Sequence, residues 1–279
     1  MKKRIIILGS SGIISKNLQK KLKKNKIKFI VYGKEKIDLL KKKSINILRN
    51  KVSTNDIIVF ISAEAPAKNF NMFRNNIEMC ENFCESIKDK KISKIIYISS
   101  DAVYSDSVKK LNENSQTLPS SMHGMMHLTR ELILKIYCKN LCVLRPTLVY
   151  GPGDTHKGYG PNKFLELAKK NKDIVLFGKG EELRDHVYID DLIAILYMCI
   201  IKNKKGIFNI ASGKINSFER VAKTVVSLSK SKSKILTSKR VGQMPHNGYR
   251  PFDVSCIKKN FNKMKLTNIE QGITKYLGN

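Results

Sequence analysis

The sequence predicts an α/β fold, a doubly wound parallel sheet with a smaller α/β domain towards the C-terminus. Three observations predict it. Short β-branched runs alternate with helical patterns through the first 150 residues, the signature of strand–helix–strand units. The first run enters a glycine turn, Gly9-Ser-Ser-Gly12, that opens directly into a helix. After Tyr150 the texture changes to short elements separated by glycine and proline turns. The expected division is 1–150 with 186–211 for the sheet domain, and 151–185 with 212–279 for the smaller one.

Residues 4–8 form a short apolar run bounded by glycine, a buried strand. The helix at 13–24 places Ile14, Leu18 and Leu22 on one face. Strand, glycine turn and helix form the context in which glycines point to a dinucleotide. Gly9 permits a tight turn. Gly12 lets a pyrophosphate approach the helix N-terminus, where unpaired N–H groups and the helix dipole favour anions. Ser15 stands where a third glycine is usual. Gly9, Ser11, Gly12, Ile13 and Ile14 are therefore the first candidate cofactor contacts.

The second strand, 27–32, ends in Tyr32-Gly33-Lys34, with Glu35 only afterwards. A carboxylate at such a strand end binds the ribose 2′-OH of NAD. Lys34 suits a 2′-phosphate better, so NADP is favoured over NAD. The third strand, 56–61, runs into Ser62-Ala63, small enough for close approach of a cofactor. A helix follows at 71–88, and a fourth strand at 95–99 leads into Ser99-Ser100-Asp101. Hydroxyls at the C-terminal ends of parallel strands are candidate site groups, Ser99 as a cofactor contact. A fifth strand covers 141–144. In the second half the pattern predicts a helix at 162–170, a strand at 174–177 and a loop at 178–186. A helix starting at Val187, a strand at 206–211 and a helix capped by Ser217 follow.

The net charge of +30 comes almost entirely from lysine spread over the whole chain. No basic stretch is interleaved with aromatics, so nucleic acid is a reading resting on charge alone. The apolar run at 192–201 is too short to span a bilayer. Six cysteines lack the paired C-x2-C spacing of zinc sites and read as reduced thiols in a cytoplasmic protein.

Within a helix preceded by an Asn/Ser/Pro-rich loop lie His123 and His127, four residues apart and so on one helical face. Imidazole changes charge near neutral pH. A proton relay, a degenerate pair in a cofactor-binding protein, half of a metal site and a structural pair all remain open. His156 and His186 lie in the other domain, and Met122, Met125 and Met126 read as packing.

Taken together the motifs resemble the extended short-chain dehydrogenase/reductases, and more narrowly their nucleotide-sugar epimerases, dehydratases and reductases. They are Gly9-x-x-Gly12-x-x-Ser15, Ser99-Ser-Asp-Ala-Val-Tyr104, Arg145-Pro-Thr-Leu-Val-Tyr-Gly151, Gly178-Lys-Gly with Arg184-Asp-His-Val-Tyr-Ile-Asp-Asp191, Phe208-Asn-Ile-Ala211, and Arg250-Pro-Phe-Asp253, in family order. The resemblance implies a Rossmann domain holding NAD(P), a capping domain for a nucleotide-sugar substrate, and dimerisation through the helices near 71–88 and 121–138. By position, Ser100 matches the hydroxyl that orients the reacting sugar. Arg184 and Arg250 match arginines that reach the diphosphate, with Asn162 acting similarly. Asp101 matches the acid of sugar dehydratases, but Ala102 replaces the glutamate that follows it, which argues against dehydration.

The chain departs from the family at its Tyr-x-x-x-Lys motif, where it has His123-Gly-Met-Met-His127. The resemblance then implies an NAD(P)-dependent oxidoreductase or epimerase in which His123 handles the proton and His127 holds the nicotinamide ribose. A cofactor-binding sensor or scaffold without hydride transfer is the alternative.

Overall fold

The computed structural model describes residues 3–154, 158–261 and 264–278. In chain order the elements are β1 (Ile5–Leu8), α1 (Ile13–Lys24), β2 (Phe29–Tyr32), α2 (Lys43–Lys51), β3 (Ile57–Phe60), α3 (Phe70–Ile87), β4 (Lys94–Ile98), a 3-10 turn (Asp101–Val103), α4 (Met122–Tyr137) and β5 (Leu141–Pro146). They continue with β6 (Leu148–Tyr150), α5 (Pro161–Lys169), β7 (Ile174–Phe177), β8 (Leu183–Tyr188), α6 (Ile189–Ile201) and β9 (Gly206–Ile210). The remainder is β10 (Ile215–Ser217), α7 (Phe218–Ser229), β11 (Ile235–Ser238), a second 3-10 turn (Pro245–Gly248), β12 (Tyr249–Arg250), α8 (Ser255–Asn260) and α9 (Ile269–Leu277).

Two compact units result. The first comprises 1–105, 115–146 and 193–208; the second comprises 106–114, 147–192 and 209–279. This division differs from the one read from sequence at 106–114, 147–150, 186–192 and 209–211, all of which fall in the second unit. Segment 106–114 joins the second unit because Leu111 bridges Phe252. Segment 186–192 does so because β8 pairs with β6, β10 and β12.

The first unit is built on a six-stranded sheet in the order β2-β1-β3-β4-β5-β9. The pairs from β2 to β5 are parallel. Every residue of β1, β3 and β4 is buried, as expected of central strands covered by helices on both faces. The chain reverses direction across the sheet between β1 and β3, and ligands of such sheets bind beyond the strand C-termini at that point. Lys94 departs from the usual solvent exposure of lysine. It is fully buried, and its ammonium donates to the Cys199 carbonyl in the last turn of α6, left without a helical partner there, and to the Lys204 carbonyl in the turn beyond.

In the second unit β8 was expected to be loop. Its Arg-Asp-His composition is polar, but pairing with β6, β10 and β12 supplies the backbone partners and overrides propensity. The following helix accordingly begins at Ile189 rather than Val187. Asp191 in its first turn accepts from the Thr267 amide at 2.6 Å and hydroxyl at 2.9 Å.

A buried ion pair ties α4 to the sheet. Arg145 on β5 donates to Glu131 through Nε at 3.0 Å and Nη2 at 2.5 Å. Ser99, just past β4, donates its hydroxyl to the same carboxylate. Removing one partner of a buried pair leaves the other charge stranded. Glu131→Gln is therefore expected to destabilise the protein by about 3–5 kcal/mol, measured by urea unfolding.

Candidate functional site

The glycine turn is shaped by close backbone approach. Gly9 has φ +107°, and a Cβ there would come within 3.0 Å of the Ser62 nitrogen. Its N–H donates to the Tyr32 carbonyl at 2.8 Å. Ser15 fills the third glycine position with a bond of its own, since its buried hydroxyl donates to the Gly9 carbonyl at 2.6 Å. Gly12 is the N-cap of helix α1 and offers no side-chain cap. A Cβ on Gly12 would meet nothing within 4 Å. With no side chain capping it and room beside Gly12, this helix N-terminus fits a pyrophosphate.

Beside this turn lies a cleft of about 320 Å³, lined by Gly9, Ser11, Lys34, Glu35, Asp38 and Ala63 among others. Ile13, in the first turn of α1, is buried instead, with Ile14 half-buried beside it. Glu35 is better placed than its sequence position suggested. A Cβ on Gly33 would lie 2.2 Å from its carboxylate and 2.1 Å from the Ser10 hydroxyl. Both groups therefore stand directly over the end of β2.

Helix α4 carries the two histidines. Its N-cap, Ser121, accepts from the Gly124 amide at 3.1 Å. A Cβ on Gly124 would sit 2.0 Å from the Ala102 carbonyl. Glycine here brings α4 against the 3-10 turn whose cap is Ser100. The Ser100 hydroxyl accepts from the Ala102 amide at 3.2 Å and lies 3.4 Å from Asp101 Oδ1. The candidate hydroxyl and acid thus lie against the helix that bears the histidines. Ser99, another candidate cofactor contact, is buried and committed to Glu131.

The imidazole rings meet edge to face, with centroids 4.6 Å apart. His123 Nδ1 accepts from the Ala67 amide at 3.4 Å, long for such a bond. Burial lowers the pKa of His123, opposed by the nearby Asp101 carboxylate. Burial lowers that of His127 further, aided by His123 and the Arg130 guanidinium. The His127 ring is 5% exposed, and its Nδ1 lies 2.6 Å from the Tyr97 hydroxyl. Sequence reading missed Tyr97. The signal was available, because Tyr97 and Ser99 are two apart on a strand and point to one face.

In the second unit Arg184 lines a pocket of about 430 Å³ with Tyr159, Phe177, Phe218, Glu182 and Arg240. The Tyr159 ring lies 4.7 Å from both Phe177 and Phe218. Arg184 Nη1 donates to Glu182 at 3.0 Å. Sequence reading singled out none of the aromatics. Asn162 is used within the chain: its amide oxygen accepts from Gly151 N at 2.9 Å, and its NH2 donates to Asp154 at 2.7 Å. Arg250 is 1% exposed, with Nη1 at 3.2 Å from Asp106 and 3.0 Å from His246 Nδ1.

Among the described residues no His/Cys/Asp/Glu group has metal-binding geometry, and no helix is long and apolar enough to cross a membrane. His156 lies outside the described residues. His186 is 3% exposed, and among the described residues neither of its ring nitrogens makes a well-formed hydrogen bond, with only a weak pull from the Arg184 backbone. It packs edge-on against Phe218 at 5.5 Å.

Residues 5–211 match the model of the NAD dependent epimerase/dehydratase family. An uncharacterized UDP-glucose epimerase of Bacillus subtilis (strain 168) is 22% identical, over 97% of this chain and 96% of that protein. The NAD complex of UDP-glucose 4-epimerase from Thermus thermophilus superposes with a TM-score of 0.85 at 19% identity, covering 99% of this chain and 98% of that one. UDP-glucuronic acid 4-epimerase from Bacillus cereus, solved with UDP-glucuronic acid and NAD, gives 0.81 at 21% identity, covering 99% and 98%. At these identities the structural likeness establishes the fold.

The buried His186 generates a pH dependence. Burial, and then Arg184, lower its pKa from 6.5 to about 3. Between those values the unfolded imidazole holds a proton that the folded one refuses, so stability falls as pH falls through that window. His186→Phe removes both poorly bonded nitrogens and keeps the ring packing. It is expected to raise stability by about 1 kcal/mol at neutral pH. It should also reduce the acid-side slope by about 1.4 kcal/mol per pH unit. Denaturant unfolding at a series of pH values measures both; an unchanged slope would refute the assignment.

Proposed function

The chain belongs to the NAD dependent epimerase/dehydratase family, and from that premise we propose that it is an NAD(P)-dependent oxidoreductase or epimerase of nucleotide-activated sugars. The observation that carries this reading is the uncapped N-terminus of α1 behind Gly9 and Gly12, set where the sheet order reverses. The cofactor, when bound, supplies a hydride acceptor and donor. Ser11 and Gly12 take the pyrophosphate, with Ala63 giving the cofactor room. Glu35, standing over Gly33, takes the ribose 2′-OH, which reverses the preference for NADP drawn from Lys34.

His123 is the proton-handling group. Its lowered pKa keeps the ring neutral at neutral pH, with a lone pair for a sugar hydroxyl proton once the long bond from Ala67 is released. Ser100 orients that hydroxyl, beside Asp101. In the second unit, the aromatic pocket with Arg184 suits the base and diphosphate of a nucleotide, since rings stack on bases and guanidinium groups bind phosphate oxygens. Asn162 shapes the loop before α5 rather than offering a free amide, and Arg250 stands behind Asp106 and His246. The proposed homodimer face is the apolar stripe Met125, Leu132 and Ile136 on α4, with exposures of 48%, 58% and 81%. Sedimentation showing only monomer would remove it.

A second reading, a cofactor-binding protein without turnover, is favoured by one observation. The lysine position of the family motif holds a buried imidazole, whose lowered pKa keeps it uncharged at neutral pH.

Fluorescence titration with NADH and NADPH, followed by turnover assays on a panel of nucleotide sugars, separates the readings. Binding of NADH in preference to NADPH, with turnover, is the expected result. His123→Phe should then lower turnover at least about 100-fold while leaving cofactor affinity unchanged. Wild-type turnover of the oxidation step should fall on the acid side of pH 6.5, as His123 takes up its proton. Cofactor binding without redox change supports the second reading. Failure of both cofactors to bind the folded protein refutes both.

A further inference from the structure

A phenol is buried beneath the histidine pair. Tyr97 on β4 is 1% exposed, and its hydroxyl lies 2.6 Å from Nδ1 of His127. Either atom could carry the shared hydrogen by distance alone. The surroundings decide between them. The Arg130 guanidinium is fully buried, 5.1 Å from the Tyr97 ring and 4.4 Å from that of Phe60. Among the described residues His127 Nδ1 is the acceptor within hydrogen-bond reach of the Tyr97 hydroxyl, because the neighbouring Arg130 guanidinium can only donate to the phenol oxygen.

If Nδ1–H donated to the phenol oxygen, the phenolic hydrogen would be left in the interior without an acceptor. A buried donor left unsatisfied costs about 1–3 kcal/mol. If the phenol donates to Nδ1, both groups are satisfied, and the imidazole proton resides on Nε2. We infer that Tyr97 is a positioning residue that donates to His127 Nδ1 and locks His127 as an Nε2–H imidazole.

The consequence is chemical. His127 becomes a fixed hydrogen-bond donor, and the pair is not a through-going proton relay. Its Nδ1 lone pair is engaged, and the phenol behind it has no second acceptor in hydrogen-bond reach among the described residues. His123 exchanges protons alone. This consequence for turnover rests on the function proposed above; the tautomer does not.

The groups facing the pair agree with this state. His123 and Arg130 on α4 face His127 and disfavour a second positive charge there. Around Tyr97 stand Arg130, Glu131 and Cys80, and burial dominates, raising the phenol pKa so that it keeps its hydrogen. Asp101, on the 3-10 turn, acts on His123.

The test is nitrogen-15 NMR of the histidine side chains in the full-length protein, wild type and Tyr97→Phe, from pH 8.5 to 5. In the wild type the His127 signals should show a protonated Nε2 and an unprotonated Nδ1 across the whole range. In Tyr97→Phe the Nδ1 shift should move towards the averaged value of two exchanging tautomers, with His123 unchanged. A wild-type Nδ1–H tautomer would overturn the inference, as would an unmoved His127 shift in the folded variant. If the variant does not fold, the wild-type spectrum decides the matter by itself. None of these readouts needs turnover. The expected tautomer in a protein that binds neither cofactor would uphold the inference and defeat the proposed function.

Discussion

The ion pair between Arg145 and Glu131 is the constraint on which the geometry of the first unit depends. Both charges are out of water, and the carboxylate is closed on a third side by the Ser99 hydroxyl. The pair joins β5, the exit of β4 and the middle of α4. It therefore sets where along the sheet the helix rests. The residues one and two turns earlier, His127 and His123, inherit that placement. Gly124 completes it, because the Ala102 carbonyl occupies the space of a side chain. A buried pair of this kind contributes little net stability against an apolar replacement, yet it tolerates few alternative arrangements.

The same packing changes the character of the histidines. A helix read as a pattern offers two titratable groups on one face. Buried against β4, one becomes a neutral ring bonded to a phenol, while the other keeps partial exposure and a long, weak bond to backbone. Desolvation penalises the charged form of both. The overall charge of +30 has little say in this, because the lysines that make it up are mostly solvated and screened.

The cofactor cleft shows how a departure from a motif can be absorbed. Ser15 replaces glycine and remains small enough for the turn, and its hydroxyl converts the close approach into a bond to the Gly9 carbonyl. Asn162 illustrates the reverse. Its residue type suits a phosphate ligand, but both ends of its amide are already engaged by the loop it closes. Chemistry inferred from residue type holds only while the side chain has valence left to offer.

Much of the first unit was legible in the chain itself. The apolar runs of β1, β3 and β4, the helix at 13–24 and the glycine turn follow from local periodicity and steric freedom, which the sequence carries directly. Spacing alone put His123 and His127 on one helical face. The strand Leu183–Tyr188 was not legible, because its polar residues find strand partners from distant segments. Nor was the placement of Glu35 over Gly33, or the bond from Tyr97 to His127. Those depend on which side chains packing brings within hydrogen-bond reach, over 30 residues of separation for Tyr97 and His127. The sequence by itself determined the parallel α/β scaffold and the residues offered to a site. Only the tertiary structure decided their charge states and their free valences, because burial and contact, which set both, are properties of the folded chain.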